Sequence, residues 1–253
     1  MPIGPAHFVT LDRFDDLDRV GAEVSHFVAH GAEQSERDAW RIDAHGQFID
    51  DETGVGGYFT APAGRLESHD RMGDVDVGLL YKPELADPAL GLVIHAGLGL
   101  PSSMSRSGEV LGNAMLSRVA DTALAIPVGT TVRAGASLLW DGRGVFARAD
   151  GGIDGNLEAA GDRWDPIGRG GVGVGFLAGS SAIMGEASVA RAQGQWLSTA
   201  ALSIRIDAGP IQAYGAFELG LDGDTRTRMK DAFVLGIDVP LQTAPAPALD
   251  DDD

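Results

Sequence analysis

The sequence contains no cysteine, and aromatic residues make up only 6% of its 253 residues. The lack of cysteine excludes disulfides, thiolate metal sites and cysteine nucleophiles. No run of about 18 apolar residues occurs, so the sequence predicts no transmembrane helix. The first residues, Met-Pro-Ile-Gly-Pro-Ala-His, lack the basic and apolar regions of a signal peptide. If the protein is exported, we expect this chain to be the mature form behind an added Met, or a truncated reading.

Basic residues are also scarce. The chain has 19 Lys and Arg against 37 Asp and Glu, which gives a net charge of -18 at pH 7. A surface this acidic repels phosphate backbones, so nucleic acid is not expected as a partner.

Glycine is abundant, with 36 residues, and most of the chain alternates with the period of two that indicates β-strands. The alternation is clearest in residues 170–241, where apolar or small residues occupy one parity and charged residues the other. Twelve strands are predicted, at residues 18–29, 38–50, 54–61, 74–82, 90–100, 131–141, 144–154, 170–178, 181–191, 196–207, 209–221 and 232–241.

Such strands fit two kinds of protein. A soluble sheet protein buries the apolar row and exposes the charges, whereas a membrane barrel turns the apolar row to lipid and the charges to its lumen. Several strands have about 9 to 13 residues, enough for the roughly 9 to 11 that a tilted strand needs to cross a bilayer. The sequence therefore favours an all-β fold, a single antiparallel up-and-down transmembrane barrel of about twelve strands, over a soluble sandwich or a soluble lipid-carrying barrel.

The connections support this choice. Links at 50–54, 82–90, 141–144, 178–181 and 207–209 are mostly short. The intervening links at 30–37, 62–73, 101–130, 155–169 and 222–231 are longer, and only 192–195 breaks the pattern. This asymmetry is typical of outer-membrane barrels and places both termini on the short-turn side. Residues 1–17 are predicted to form an N-terminal arm, residues 18–241 the barrel, and residues 242–253 a disordered acidic tail.

The link at 101–130 is too long for an ordinary loop. We expect it to be partly structured, with a short helix at 109–120, and to cap the barrel or bend into it. A thirteenth strand at 117–126 is the alternative.

At this point the chain resembles the twelve-stranded outer-membrane barrels of Gram-negative bacteria, chiefly small-solute channels and transporters. The resemblance covers about residues 18–241 and is one of pattern, with stretches such as 130–137 and 145–154 similar to those of uncharacterised predicted outer-membrane proteins. It implies an outer-membrane location. One departure is the last strand, which ends Val239-Pro240-Leu241 where such barrels commonly end on an aromatic residue.

No motif predicts catalysis or a cofactor. The glycine run 168–175 lacks the Gly-Lys-Ser/Thr ending of a phosphate-binding loop and enters a strand. The acidic stretches 150–156 and 222–224 lack calcium-loop spacing, and the six histidines form no pair at metal-ligand spacing. The hydroxyl cluster 101–107 lacks a nucleophile elbow. We therefore predict no catalytic residue, no metal and no cofactor.

The lumen is then the expected functional surface. Opposed charges along a narrow pore order and filter polar solutes, although the same charges can pair and close the barrel. The predicted pore-lining residues are Arg41, Asp43, His45, Asp76, Lys82, His95, Arg133, Asp141, Arg148, Asp150, Glu186, Arg205, Tyr214, Glu218 and Asp238.

The sequence thus predicts a monomeric channel that passes small hydrophilic solutes passively, with outer-membrane lipid and small polar solutes as its partners. Two alternatives remain: a closed structural or adhesive barrel that acts through loops 62–73, 101–130 and 155–169, and an outer-membrane lipid hydrolase.

Overall fold

The computed structural model describes residues 8–30, 36–102, 108–125, 129–142, 144–158, 164–192 and 194–241. Its elements are thirteen strands, two short α-helices and one 3-10 helix. The strands are β1 (Arg19–His30), β2 (Glu36–Ile49), β3 (Val55–Leu66), β4 (His69–Met72), β5 (Val75–Tyr81), β6 (Leu90–Leu100), β7 (Gly129–Asp141), β8 (Val145–Glu158), β9 (Trp164–Ala178), β10 (Ser181–Ala192), β11 (Gln195–Asp207), β12 (Gln212–Gly220) and β13 (Met229–Pro240). The helices are α1 (Gly108–Ala114), the 3-10 helix (Met115–Ala125) and α2 (Gly223–Arg228).

Twelve of the strands form a closed antiparallel ring. Consecutive strands pair from β5 round to β13, β13 pairs with β1, and the ring closes through β1–β2, β2–β3 and β3–β5. Closure leaves the ring without a free edge, so the backbone groups of the twelve strands are satisfied within the sheet. The predicted all-β, twelve-stranded barrel is confirmed. Its two ends meet where the amide of Leu241 donates to the carbonyl of Asp18 at 2.8 Å.

Two predicted loops are largely strand. The link 62–73 contains the end of β3 and the added strand β4, which turn at Glu67 with a positive φ of 56°. The link 155–169 is mostly the extended ends of β8 and β9, in which Gly155 pairs with Pro166. Glycine and proline in these stretches interrupt the apolar alternation. The period-two pattern in the sequence therefore ends before the hydrogen-bonded pairing of the strands does.

The apolar row faces outward. Leu79, Leu202 and Leu235 are 67%, 65% and 63% exposed, whereas Arg41 and Asp43 on the opposite parity are fully buried inside the ring. A soluble sheet protein would show the reverse arrangement. An apolar outer wall around a charged interior is the arrangement of an outer-membrane β-barrel, and it confirms the predicted strand faces.

The helices lie at the long-loop end of the barrel. Asp222 caps α2 by accepting hydrogen bonds from the amide and hydroxyl of Thr225 at 2.8 and 2.6 Å, and it also accepts one from the Ser198 hydroxyl at 2.6 Å. Partial burial raises the pKa of Asp222, but these hydrogen bonds outweigh it and hold the pKa below its usual value. No helix in the described part of the chain is long and apolar enough to cross a bilayer.

The outward-facing row gives the first testable prediction. Leu202 lies near the middle of β11, so Leu202→Arg places a charge in hydrocarbon and should lower the free energy of unfolding in lipid vesicles by about 2 to 4 kcal/mol. Ile206→Arg, near the short-turn end of the same strand, is the matched control and should cost about 0 to 1 kcal/mol. Equal costs at the two positions, measured by denaturant titration, would show that this face does not span a bilayer.

Candidate functional site: the barrel lumen

Most of the predicted pore-lining side chains point into the ring and are buried. These are Arg41, Asp43, His45, Asp76, His95, Arg133, Arg148, Asp150, Glu186, Arg205, Tyr214, Glu218 and Asp238. Lys82 and Asp141 do not join them. Both lie at strand ends on the short-turn side, where Asp141 is exposed and the partly exposed Lys82 ammonium lies 3.4 Å from the carboxylate of Asp16.

The lumen is not empty, because residues 8–17 run inside it. We call these residues the lumenal segment. It precedes β1 at the short-turn end and enters the ring, and every residue from Phe8 to Asp15 is buried. The predicted N-terminal arm therefore includes a packed interior element, while residues 1–7 lie outside the described residues.

Apolar side chains anchor the lumenal segment on three sides. Phe8 packs edge-on against Phe146 with ring centroids 5.5 Å apart, and Phe14 stacks on Tyr58 and His95 with centroids 4.3 and 4.1 Å away. Val9 lies in a third cluster, on the β11–β13 wall. These contacts remove apolar surface from water and fix the position of the segment across the lumen.

The glycine run of β9 accommodates this packing. A Cβ on Gly173 would lie 2.4 Å from the ring of Phe8, and one on Gly171 would lie 2.6 Å from Leu11. The inward-facing glycines thus leave room for the lumenal segment, because any side chain there would occupy its space.

Arginines from the wall and from the 3-10 helix hold the backbone of the segment. Arg148 donates to the carbonyls of Asp12 and Phe14 at 2.5 and 2.9 Å, and Arg118 donates to the carbonyls of Val9 and Leu11. These bonds satisfy carbonyl groups that would otherwise be buried without partners.

Side chains of the segment are bound as well. Glu186 accepts hydrogen bonds from the amide and hydroxyl of Thr10 at 2.6 and 2.9 Å. The carboxylate of Asp12 pairs with Arg169, and that of Asp15 pairs with Arg19 at 2.5 Å.

Arg13 of the segment reaches a carboxylate pair on the wall. Its guanidinium lies 3.0 Å from Glu23 Oε1 and 2.9 Å from Asp43 Oδ1. Arg41 bridges the same two carboxylates at 2.6 and 2.9 Å and also lies 3.1 Å from Asp121 of the 3-10 helix. Charges with so little access to water are retained because each has a close partner of opposite sign.

A second buried network lies on the β5–β9 wall. Arg133 pairs with Asp76 at 2.9 Å, and with Asp121 and Asp154 at 3.3 Å. Asp154 also pairs with Arg169 at 3.1 Å, and Arg169 in turn lies 2.8 Å from Nε2 of His95. The wall and the 3-10 helix are thereby joined through Asp121.

The long-loop end of the lumen is filled differently, by apolar contacts. Val110, Leu116 and Val119 from α1 and the 3-10 helix are buried against the inner wall, where they share a cluster with side chains that include Phe27 and Leu197. The predicted helix in link 101–130 is present as α1 followed by the 3-10 helix, and it bends into the barrel. This cover, formed by α1 and the 3-10 helix, packs on the wall through apolar side chains, while its Arg118 and Asp121 reach the polar centre.

Little free space remains beside these groups. A cavity lined by Arg13, His45 and Tyr58 measures about 10 Å³, roughly the space of one water molecule. A groove of about 700 Å³ beside Trp40 and Met72 lies on the outer wall. The lumen of this structure is occluded by its own chain.

The hydroxyl cluster at 101–107 has one described serine, Ser102. Ser102 donates to the carbonyl of Gly73 at 2.5 Å, which indicates a structural role, and residues 103–107 lie outside the description. His26 lies on the outer wall, 3.4 Å from Asp38. Among the described residues no group of three His, Cys, Asp or Glu side chains is placed to bind a metal ion.

The sequence prediction missed several residues of this site. Arg13, Glu23, Arg118 and Arg169 were not among the expected lining residues, because three of them lie outside the clearest strand alternation and Glu23 stands alone among small residues. One signal was available. The stretch His-Phe-Val-Thr-Leu-Asp-Arg-Phe at 7–14 is too apolar for a solvated arm.

Solved structures of other proteins share this fold, whereas comparisons of the sequence find no match. No family model matches the chain, and no curated protein matches it. Among solved structures, the chain is similar to the NanC porin, with a TM-score of 0.57 and 13% identity over 89% of this chain and 100% of that one. It is also similar to an outer-membrane channel from Pseudomonas putida F1, with a TM-score of 0.59 and 10% identity over 93% and 99% of the two chains.

An enzyme shares the fold as well. Outer membrane phospholipase A from Escherichia coli matches with a TM-score of 0.50 and 8% identity over 88% of this chain and 96% of that one. These similarities show an outer-membrane β-barrel fold, which channels and an enzyme both use.

The inward-facing glycines of β9 give the second prediction. Gly173→Val should displace the ring of Phe8 and cost about 1 to 3 kcal/mol of stability through overpacking, measured by denaturant titration of the folded barrel. Gly185→Val is the matched control, since a Cβ at Gly185 has no atom within 4 Å. A loss at Gly173 no larger than that at Gly185 would contradict the packing of Phe8 against β9.

Proposed function

We propose that this protein is an outer-membrane channel for small hydrophilic solutes, and that its lumen is closed at rest by the lumenal segment. The observation that supports this most directly is the polar interior. A barrel that needed only a filled core would be expected to use apolar contacts throughout, yet acidic and basic side chains surround the centre. The fold shared with porins and channels agrees with the proposal.

The lumenal segment is suited to move. Within the described residues the chain joins it to the barrel at its β1 end, and most of its hydrogen bonds are to charged groups of the wall that water can replace. Its apolar contacts are the three clusters around Phe8, Val9 and Phe14. The cover formed by α1 and the 3-10 helix packs on the wall through apolar side chains and through ion pairs of Asp121, and it is connected to the barrel at both ends.

The size of the ring permits conduction once the segment has left. Barrels of about eight strands are filled by their own wall side chains, and those of sixteen to eighteen contain a water channel. A twelve-stranded ring lies between them, and here an additional length of chain is needed to fill it. Removing that length would leave a water-filled space lined by charges of both signs, which becomes a passage when the cover formed by α1 and the 3-10 helix also moves aside.

A reversible crosslink tests this proposal. The chain has no cysteine, so Leu11→Cys with Gly171→Cys introduces a single thiol pair where Leu11 lies against Gly171. Single-channel currents would be recorded in a planar bilayer under oxidising and reducing conditions. We expect no openings when the disulfide holds the segment, and current steps after reduction.

Two controls make the result decisive. Each single cysteine variant should behave alike under both conditions, because neither can form the disulfide within one barrel. Equal conduction by the crosslinked and reduced forms would show that the segment does not block the pathway. Silence of both forms, and of the variant Phe8→Ala with Phe14→Ala, would refute the channel.

The second candidate function is a closed structural barrel. The apolar packing of the cover at the long-loop end supports it, since Leu116 and Val119 are only 1% exposed against the inner wall. This function predicts silence in every recording. It also predicts that the function depends on α1 and the 3-10 helix and not on a solute pathway through the lumen.

A further inference from the structure

The guanidinium of Arg13 occupies a pocket that has the form of a cation-binding site. Its two terminal nitrogens contact Glu23 and Asp43 at 3.0 and 2.9 Å, and one of them lies 3.5 Å from Nδ1 of His45. The carboxylate side chains are 2% and 0% exposed. Forked contacts of this kind match a planar cation with several N–H donors.

The pocket belongs to the barrel wall, whereas its occupant does not. Glu23 of β1 and Asp43 of β2 are direct cross-strand partners, and like charges in that position repel unless a cation lies between them. Both strands are part of the closed ring, so the pair stays in place whatever the lumenal segment does.

The groups around this pocket do not neutralise it without Arg13. Glu23 and Asp43 are two wall carboxylates that face one wall guanidinium, that of Arg41. Arg118 and Asp121 of the 3-10 helix add one charge of each sign. Arg133 also contacts Asp121, but it is shared with Asp76 and Asp154. One negative charge is left over, and Arg13 supplies the balancing cation. When the segment withdraws, the pocket keeps its carboxylates and loses that cation.

We infer that Glu23 and Asp43 form a binding site for a small organic cation with a guanidinium or primary ammonium group, and that Arg13 is its built-in competitor. The inference rests on the proposed function for the passage of solutes through the lumen. It adds the class of solute, cationic and rich in N–H donors, and a means by which such a solute favours the open barrel. Bound solute takes the contacts that Arg13 needs in order to return.

Methylguanidinium is the probe, and the full-length Arg13→Met variant empties the pocket while it keeps an apolar side chain in place. Binding would be measured by calorimetry on the detergent-folded barrel, whose folding is checked by heat-modifiable gel migration. We expect methylguanidinium to bind Arg13→Met and to bind the wild type at least about tenfold more weakly. A tethered competitor acts at an effective concentration in the millimolar range.

Three controls define the site. Tetramethylammonium has the same charge but no N–H donors and should not bind. Glu23→Gln with Asp43→Asn, added to Arg13→Met, should abolish methylguanidinium binding. Arg191→Ala removes an arginine that stacks on Trp196 at 5.4 Å on the outer wall and should bind no better than the wild type.

The outcomes separate this inference from the proposed function. A folded Arg13→Met barrel that does not bind methylguanidinium, or that binds it equally well without the two carboxylates, would overturn the site. If Arg13→Met does not fold, Arg13→Ala is measured in the same way and decides the question. Binding without any current steps would uphold the site and refute the channel.

Discussion

Charges that point into a closed barrel must be hydrated or paired, and this constraint governs the interior of the protein. The outer wall faces hydrocarbon, so the strands can place their charged parity only inward. Arg41, Arg133 and Arg148 are almost fully buried there. Each is satisfied by carboxylates or by carbonyl groups, and two of those acceptors, the carbonyls of Asp12 and Phe14, belong to the lumenal segment and not to the wall.

The two ends of the lumen are filled by different kinds of side-chain contact. Near the centre and the short-turn end, the wall and residues 8–17 exchange ion pairs and hydrogen bonds, which a polar solute or water can replace at moderate cost. At the long-loop end, the 3-10 helix and α1 exclude water with apolar side chains. The replaceable polar contacts are the physical basis for the proposal that the lumenal segment moves, and the ion pairs of Asp121 and Arg118 connect the helical cover to the same network.

The alternation of apolar and polar residues along the sequence made the strands of the barrel predictable. Strand positions, their faces and the inward parity of Arg41, Asp43 and Arg133 were predictable because alternation reports which side of a sheet each residue occupies. Contacts across the lumen were not predictable from the sequence. The fit of Phe8 to Gly173, and of Arg13 to Glu23 and Asp43, depends on residues far apart in the chain and on a segment with no strand period.

The most direct test of this account is the accessibility of the lumenal segment in a bilayer. Val9→Cys would carry the only thiol of the chain, at a position 1% exposed, and Ser180→Cys in an exposed turn is the reference. The rate of modification by a water-soluble maleimide would be compared between them. The account predicts that Val9→Cys reacts much more slowly than Ser180→Cys and faster once Arg13→Met is added. Equal rates at the two positions would show that residues 8–17 do not occupy the lumen.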